Sequence, residues 1–539
     1  MALYGKFAVI IPFMNPRSSA RFSWFARAIA SFLVVVLACA PAPRLVLAQN
    51  LPDLGDESAT ELSPTMERRL GEGYFRELRR DPDFLDDPEV TNYVQELGNK
   101  LIASSPEPTL EVEFFMVKDN SINAFAMLGG FIGVNTGLLI AAQSESEAAS
   151  VIGHEMGHLI QKHIARSVSA GKKASIASLV AMLGCVLAAR SNPQFTQACL
   201  IGGSAVPIAQ QLAYSRDFER EADRMGFDIL QRGGFDVSAM PAFFERLQRA
   251  GRVYDSNAPA YVRTHPLTTE RIADVRNRAQ NVPYRQHADS LAFALVRAKL
   301  RATMDASVDG RRDTLKFFSS QIADKTYANL TAAHYGYAWA LLLSKEYARA
   351  EAELALIPKA LNHPMIENLA GSLLLARKDL PGAIKTYRAA VARFPNSRPL
   401  QLSLIEALQQ AGQHAEALSM LRDQAERHGK DPKVYELEVK SYGATGKRML
   451  QHQAQAENHV LLGLLQPAIN ELMVARCTGE GDFYQNSIID ARIRTLWEQL
   501  AEEKRDKDKA DGNKDDKSGD KPLTRPLPRM GDRPPEARC

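Results

Sequence analysis

The residues best equipped for chemistry in this chain are His154-Glu155-Met156-Gly157-His158. On a helix the two imidazoles stand one turn apart on one face, where both can bind a Zn²⁺ ion, and Glu155 lies beside the water on that ion as a general base. The reaction this implies is hydrolysis of a peptide bond. Composition alone gives about 0.03 chance matches to H-E-x-x-H in a chain of 539 residues with 11 His, so the motif is specific. A third ligand should lie downstream. Glu219 and Asp223 are one helical turn apart, and such a pair can supply one ligand and one acid that orients an imidazole through its other ring nitrogen.

These residues need rigid supports. Ser144 followed by Glu147 forms a capping-box pattern, and Ala148, Val151, Ile152, Leu159 and Ile160 recur at helical spacing, which predicts the helix that carries both histidines. A second helix is expected from Asp217 to Arg232. Glu111–Val117 and Phe131–Asn135 read as strands, the latter after the Gly129-Gly130 break. Ile122-Asn123-Ala124-Phe125-Ala126 lies between them, and a strand near a metal site can serve as an edge to which an extended peptide adds. His163, five residues after His158, projects away from the ligand face and reads as structural.

The combination of H-E-x-x-H and E-x-x-x-D resembles the gluzincin peptidases related to HtpX and the CAAX prenyl proteases. The likeness to their periplasmic BepA-type branch extends through Leu51-Pro52-Asp53-Leu54-Gly55, Asn123-Ala124-Phe125-Ala126, Glu221-Ala222-Asp223-Arg224-Met225-Gly226, and Thr264-His265-Pro266-Leu267 with Glu270-Arg271. It covers essentially all of the chain between the leader and the tail. The resemblance implies His154, His158 and Glu219 as ligands of one Zn²⁺ per chain, Glu155 as general base and Asp223 as supporting or proton-donating acid. Glu221 competes as a ligand, but the family pattern selects the carboxylate four residues before the Asp. The resemblance also implies His265 as a fourth ligand that blocks the water and holds the enzyme inhibited, with Arg271 and Asn123 as substrate contacts. It further implies a role in quality control and assembly of outer-membrane β-barrel proteins, with those proteins and the barrel assembly machinery as partners.

The expected fold is α+β, mostly α: a metallopeptidase domain with a small sheet over 49–290, then an α-helical solenoid over 320–503. Starting Glu346-Tyr347-Ala348-Arg349-Ala350, Asp379-Leu380-Pro381-Gly382-Ala383 and Gln413-His414-Ala415-Glu416-Ala417 in register gives steps of 33 and 34 residues, the period of tetratricopeptide repeats. A degenerate unit follows Gly446, and helices near 461–475 and 484–503 should cap the array. Residues 504–539, rich in Lys, Asp, Gly and Pro, are expected to be disordered.

The start of the chain reads as an address. Arg17, Arg21 and Arg27 precede an uncharged run to Pro43, and Val46-Leu47-Ala48 suits signal peptidase, so 1–48 is expected to be a cleaved signal directing the chain to the periplasm. An N-terminal anchor, or lipid attachment at Cys39, is the alternative, but the apolar core is short for a span of about 20 residues. Cys185 and Cys199 could bridge adjacent helices in an oxidising compartment, or equally be a pair of small buried residues in an Ala-rich segment. The uncharged stretches within 174–215 read as a buried hairpin or lid with peripheral membrane contact as the alternative. A net charge of +3, from 66 basic and 63 acidic residues, gives no global field to recruit nucleic acid. The competing functions are a chaperone or scaffold in which the repeats do the essential binding, and a general peptidase for short peptides.

Overall fold

The computed structural model describes residues 63–170, 216–253, 259–429 and 431–512, all within one compact unit. The expected signal, Leu51–Gly55, Cys185, Cys199 and the 174–215 stretches lie outside the described residues.

The peptidase part opens with α1 (Pro64–Leu78) and α2 (Pro88–Ala103), each with proline in its first turn and capped by Ser63 or Asp87. Three strands follow, β1 (Glu113–Val117), β2 (Ala124–Met127) and β3 (Phe131–Asn135), in spatial order β1-β3-β2. β3 is central, parallel to β1 and antiparallel to β2, with Phe125 opposite Gly133. Gly133 has no room for a side chain, because a Cβ there would stand 2.4 Å from the Phe125 ring and 2.8 Å from that of Phe115. Among the described residues β2 pairs on one side only and is thus an edge strand.

A short helix, α3 (Thr136–Ala141), leads to α4 (Glu145–Ile160), which carries the histidines. Its start is fixed as the sequence predicts. Ser144 Oγ accepts from Glu147 N, while the Glu147 carboxylate accepts from Gln143 N at 2.6 Å and from both Arg246 Nη atoms at 2.6 Å. Every residue of α4 from Glu145 to His158 is buried, so the helix is the axle of this part of the molecule. α5 (His163–Ala170) follows after a turn in which Lys162 adopts the left-handed conformation, φ 51°.

α6 (Arg216–Gly233) lies across α4 at backbone distance. A Cβ on Gly157 would come within 2.8 Å of Ala222 O, and one on Gly226 within 2.9 Å of His154 N. This notch of missing side chains lets a carboxylate on α6 reach imidazoles on α4. Next come α7 (Ala239–Val253), α8 (Ala260–Thr264) and α9 (Thr269–Gln280), then α10 (Leu291–Thr303) and α11 (Val308–Ala323), which lead into the repeats.

Four helical hairpins follow: α12 (Leu330–Leu343) with α13 (Tyr347–Ala355), α14 (Pro364–Ala376) with α15 (Leu380–Arg393), α16 (Arg398–Gln410) with α17 (His414–His428), and α18 (Pro432–Ala444) with α19 (Arg448–Leu461). Each hairpin turns through a left-handed residue, Lys345, Lys378, Gly412 and Gly446, so the repeat period is also a period of backbone conformation. α20 (Leu465–Arg476) and α21 (Phe483–Gly512) close the array. α21 runs past Lys504, where a disordered tail was expected, because no proline and no glycine interrupts it before Gly512.

One hydrophobic cluster runs without a break from Val90 and Tyr93 through α4, α6 and α10 to Tyr335, Leu341 and Leu369 in the first two hairpins. The peptidase part and the first repeats therefore share a core. A largely buried ion triad reinforces the junction: Lys299 Nζ lies 2.6 Å from buried Glu89 Oε2 and 2.7 Å from half-buried Asp87 Oδ2. Among the described residues no helix is long and apolar enough to cross a membrane.

Candidate metal centre

His154 and His158 share a face of α4 as their spacing requires, with their Nε2 atoms 3.0 Å apart. Glu219, in the first turn of α6, places its carboxylate 3.5 Å from each of them. His265 Nδ1 enters from the turn after α8, 3.0 Å from Glu219 Oε1 and 3.4 Å from His154 Nε2. One ligand atom from each of these four buried residues can be chosen so that all lie within 4.8 Å of one another. A tetrahedral ion with bonds of about 2.0–2.1 Å spaces its donors by roughly 3.3 Å, so the cluster fits a metal of that kind.

Glu155 stands beside the cluster. The backbone N–H of Ala126 donates to its Oε2 at 3.0 Å, which ties the carboxylate to the edge strand. Its Oε1 is buried and makes no hydrogen bond, with His265 Nε2 3.5 Å away. The His265 ring thus lies between Glu219 and Glu155. Its turn is fixed from three sides. The ring stacks on Tyr261, centroids 4.8 Å apart, and Tyr261 N donates to Ile122 O just before β2. Arg271 Nη1 donates to Pro266 O at 2.9 Å, and Gln248 Nε2 to Leu267 O at 2.9 Å.

Asp223, one turn along α6 from Glu219, faces the other side of His154, with Oδ1 3.0 Å from Nδ1. Arg271 grips Asp223 with two hydrogen bonds, from Nε at 2.7 Å and Nη2 at 2.8 Å, and its Nη1 lies 2.7 Å from Glu219 Oε2. Read from sequence as a substrate contact, Arg271 has its buried guanidinium engaged by two carboxylates and a carbonyl. Asn123 is buried at the entrance to β2; its backbone oxygen accepts from Asn135 N, and its Oδ1 makes no hydrogen bond.

Burial works against charge throughout, and the neighbours decide each outcome. Against its burial, His154 is pushed up to about 9 by the carboxylates of Asp223 and Glu219. His158 is driven well below the usual imidazole range by burial and by its cationic neighbour His154. Glu219 lies well below the usual carboxylate range, since His265 and His154 outweigh its burial, whereas burial dominates at Glu155 and raises it.

One residue is placed otherwise than the sequence suggested. His163 does not point away: its Nδ1 lies 2.8 Å from His158 Nδ1. Projection on a continued helix, at about 100° per residue, fails here because α4 ends at Ile160 and Lys162 turns the chain back. Glu221, the rival ligand, stands away from the cluster and binds His163 Nε2 at 3.0 Å and Arg166 Nη1 at 2.6 Å. The glycine notch was also missed, although Gly153, Gly157 and Gly226 are visible in the sequence as small residues at helical spacing.

A buried imidazole-carboxylate cluster with an adjacent base on one helix, beside an open strand edge, defines a metallopeptidase. Comparison with known proteins agrees. Residues 88–279 match the model of peptidase family M48, and residues 374–440 match a tetratricopeptide-repeat model. The chain is 32% identical over 451 residues to the beta-barrel assembly-enhancing protease of Escherichia coli K12, covering 83% of this chain and 91% of that one. The protein of the same name from Yersinia pestis is 31% identical over 456 residues, covering 84% and 93%. The mitochondrial metalloendopeptidase OMA1 of Arabidopsis thaliana is 28% identical over 218 residues, covering 40% and 41%. The chain belongs to the family of the beta-barrel assembly-enhancing proteases.

Proposed function

We propose that the protein is a zinc-dependent endopeptidase of the periplasm that acts on outer-membrane β-barrel proteins during their assembly, with the repeats binding the client. The observation that carries the catalytic part is the buried set of His154, His158 and Glu219 around which Glu155 is held by the edge strand. The client class rests on the names of the relatives, and the periplasmic address on the resemblance drawn from the sequence and on the expected signal at 1–48.

His154, His158 and Glu219 would hold the ion, and a bound Zn²⁺ supplies an acidified water and polarisation of the scissile carbonyl. Glu155 takes the proton from the attacking water at its Oε1 and delivers it to the leaving amine, while Ala126 N–H keeps its other oxygen fixed. Asp223 holds His154 with Nε2 toward the ion, and Arg271 holds Asp223 and Glu219 in place. An extended segment of substrate would add to the free edge of β2. His265 would account for a resting state, since its ring lies between Glu219 and Glu155, and it would have to withdraw before hydrolysis.

The test compares cells carrying Glu155→Gln with cells lacking the protein. Barrel assembly as defective in the variant as in the deletion supports proteolysis as the working activity. Normal assembly with the variant would transfer the role to a chaperone or scaffold. Metal analysis of the purified protein decides zinc: one equivalent is expected, and another metal in its place would overturn that assignment.

A further inference from the structure

The two histidines of α4 are backed differently. His154 Nδ1 faces a carboxylate, Asp223, whereas His158 Nδ1 faces a second imidazole, His163, at 2.8 Å. At that distance one ring nitrogen donates and the other accepts. His163 Nε2 lies 3.0 Å from Glu221 Oε2, and an ionised carboxylate only accepts, so His163 donates there. A neutral imidazole has one N–H, which leaves His163 Nδ1 as an acceptor and makes His158 Nδ1 the donor. The proton of His158 is thereby kept on the side away from Glu219, and its Nε2 lone pair is turned toward the cluster.

The support behind His163 is itself built. Arg166 Nη1 fixes the same Glu221 oxygen at 2.6 Å, the His163 ring lies flat on Phe218 at 4.4 Å and 6°, and the Arg166 guanidinium covers Phe218 at 4.4 Å. His163 and Arg166 come from α5, and Phe218 and Glu221 from α6. The left-handed turn at Lys162 is what folds α5 back to make this contact, at a backbone conformation that a lysine seldom adopts.

We infer that His163, anchored by Glu221, is a positioning residue that sets the tautomer and ring direction of His158 for metal binding. The inference rests on the reading of His158 as a metal ligand. Partners of this kind typically contribute about 10- to 100-fold to metal affinity or activity.

Zn²⁺ affinity of the purified full chain, measured by competition with a chromophoric chelator, tests it alongside thermal unfolding of the metal-free protein. His163→Phe keeps the ring against Phe218 but cannot accept a hydrogen bond, and should weaken Zn²⁺ binding by about 10- to 100-fold with little change in unfolding temperature. His163→Asn puts an acceptor oxygen where Nδ1 stands, and should recover most of that loss. Binding by His163→Phe as tight as in the unaltered chain, or weaker binding by His163→Asn than by His163→Phe, would overturn the inference. If His163→Phe does not fold, Glu221→Ala, at a partly exposed position, replaces it, and unchanged Zn²⁺ affinity there is the overturning result. His158→Ala separates the two readings. It should lose Zn²⁺ binding, and if it does not, the ligand assignment itself fails.

Discussion

Ala126 donates its backbone N–H to Glu155 Oε2, so the strand edge proposed to receive a peptide also holds the carboxylate proposed as the base. On the proposed mechanism, substrate binding and proton transfer would share one peptide unit. Glu155→Gln keeps an amide oxygen for Ala126 but offers no base. Cleavage of an unfolded protein substrate should fall by about 10²- to 10⁴-fold, with metal content and unfolding temperature unchanged. A metal-loaded variant that cleaves at the normal rate would remove Glu155 from the mechanism.

His265→Ala removes a ring that stands between Glu219 and Glu155 and leaves three other donors in the cluster. Basal cleavage should rise while metal content stays at one equivalent. Turnover equal to or below that of the unaltered enzyme, with metal retained, would show that the ring is not an obstacle.

Gly157→Ala would place a methyl group 2.8 Å from Ala222 O, against backbone that cannot rotate aside. α6 must move off α4, taking Glu219 and Asp223 with it. The expected cost is about 1–3 kcal/mol, read by denaturant unfolding, with metal affinity reduced in the same variant. Unchanged metal affinity would mean that the notch serves packing alone.

Lys299→Met leaves Glu89, which is 5% exposed, without its cation. About 3–5 kcal/mol of stability should be lost near neutral pH. Burial already pushes the Glu89 carboxyl up despite Lys299. In the variant a folded state that holds this proton more tightly than the unfolded chain gains relative stability as pH falls. The deficit should therefore be smallest below about pH 4.3, the range in which an unfolded Glu protonates, and widen as pH rises through the raised Glu89 value. Denaturant midpoints of both proteins across that range provide the check, and a deficit independent of pH would exclude Glu89 as its source.

How much of this was legible depended on whether the information was periodic. The capping box at Ser144, the shared face of His154 and His158, the one-turn spacing of Glu219 and Asp223, and the 33- and 34-residue repeat step are local patterns, and the structure realises them. The contacts behind them are not periodic. Whether His163 faces His158 depends on one left-handed turn at Lys162, and Arg271 is drawn inward by carboxylates on another helix. The approach of α6 to α4 depends on two glycines, Gly157 and Gly226, that no periodic pattern links. Likewise α10 and α11 occupy the interval between the two expected domains, because their apolar faces complete a core that neither part closes by itself.

That shared core governs what genetics can separate. Tyr335, Leu341 and Leu369 sit in repeat hairpins yet pack in the same cluster as α4. A search for alleles that lose client recognition will return changes at such positions, and those proteins will have lost peptidase activity through heat-lability, not through failure to recognise a client. If the repeats bind the client as proposed, surface substitutions in the later hairpins, whose cores at Ile405 and Leu421 are a separate cluster, are expected to divide recognition from cleavage.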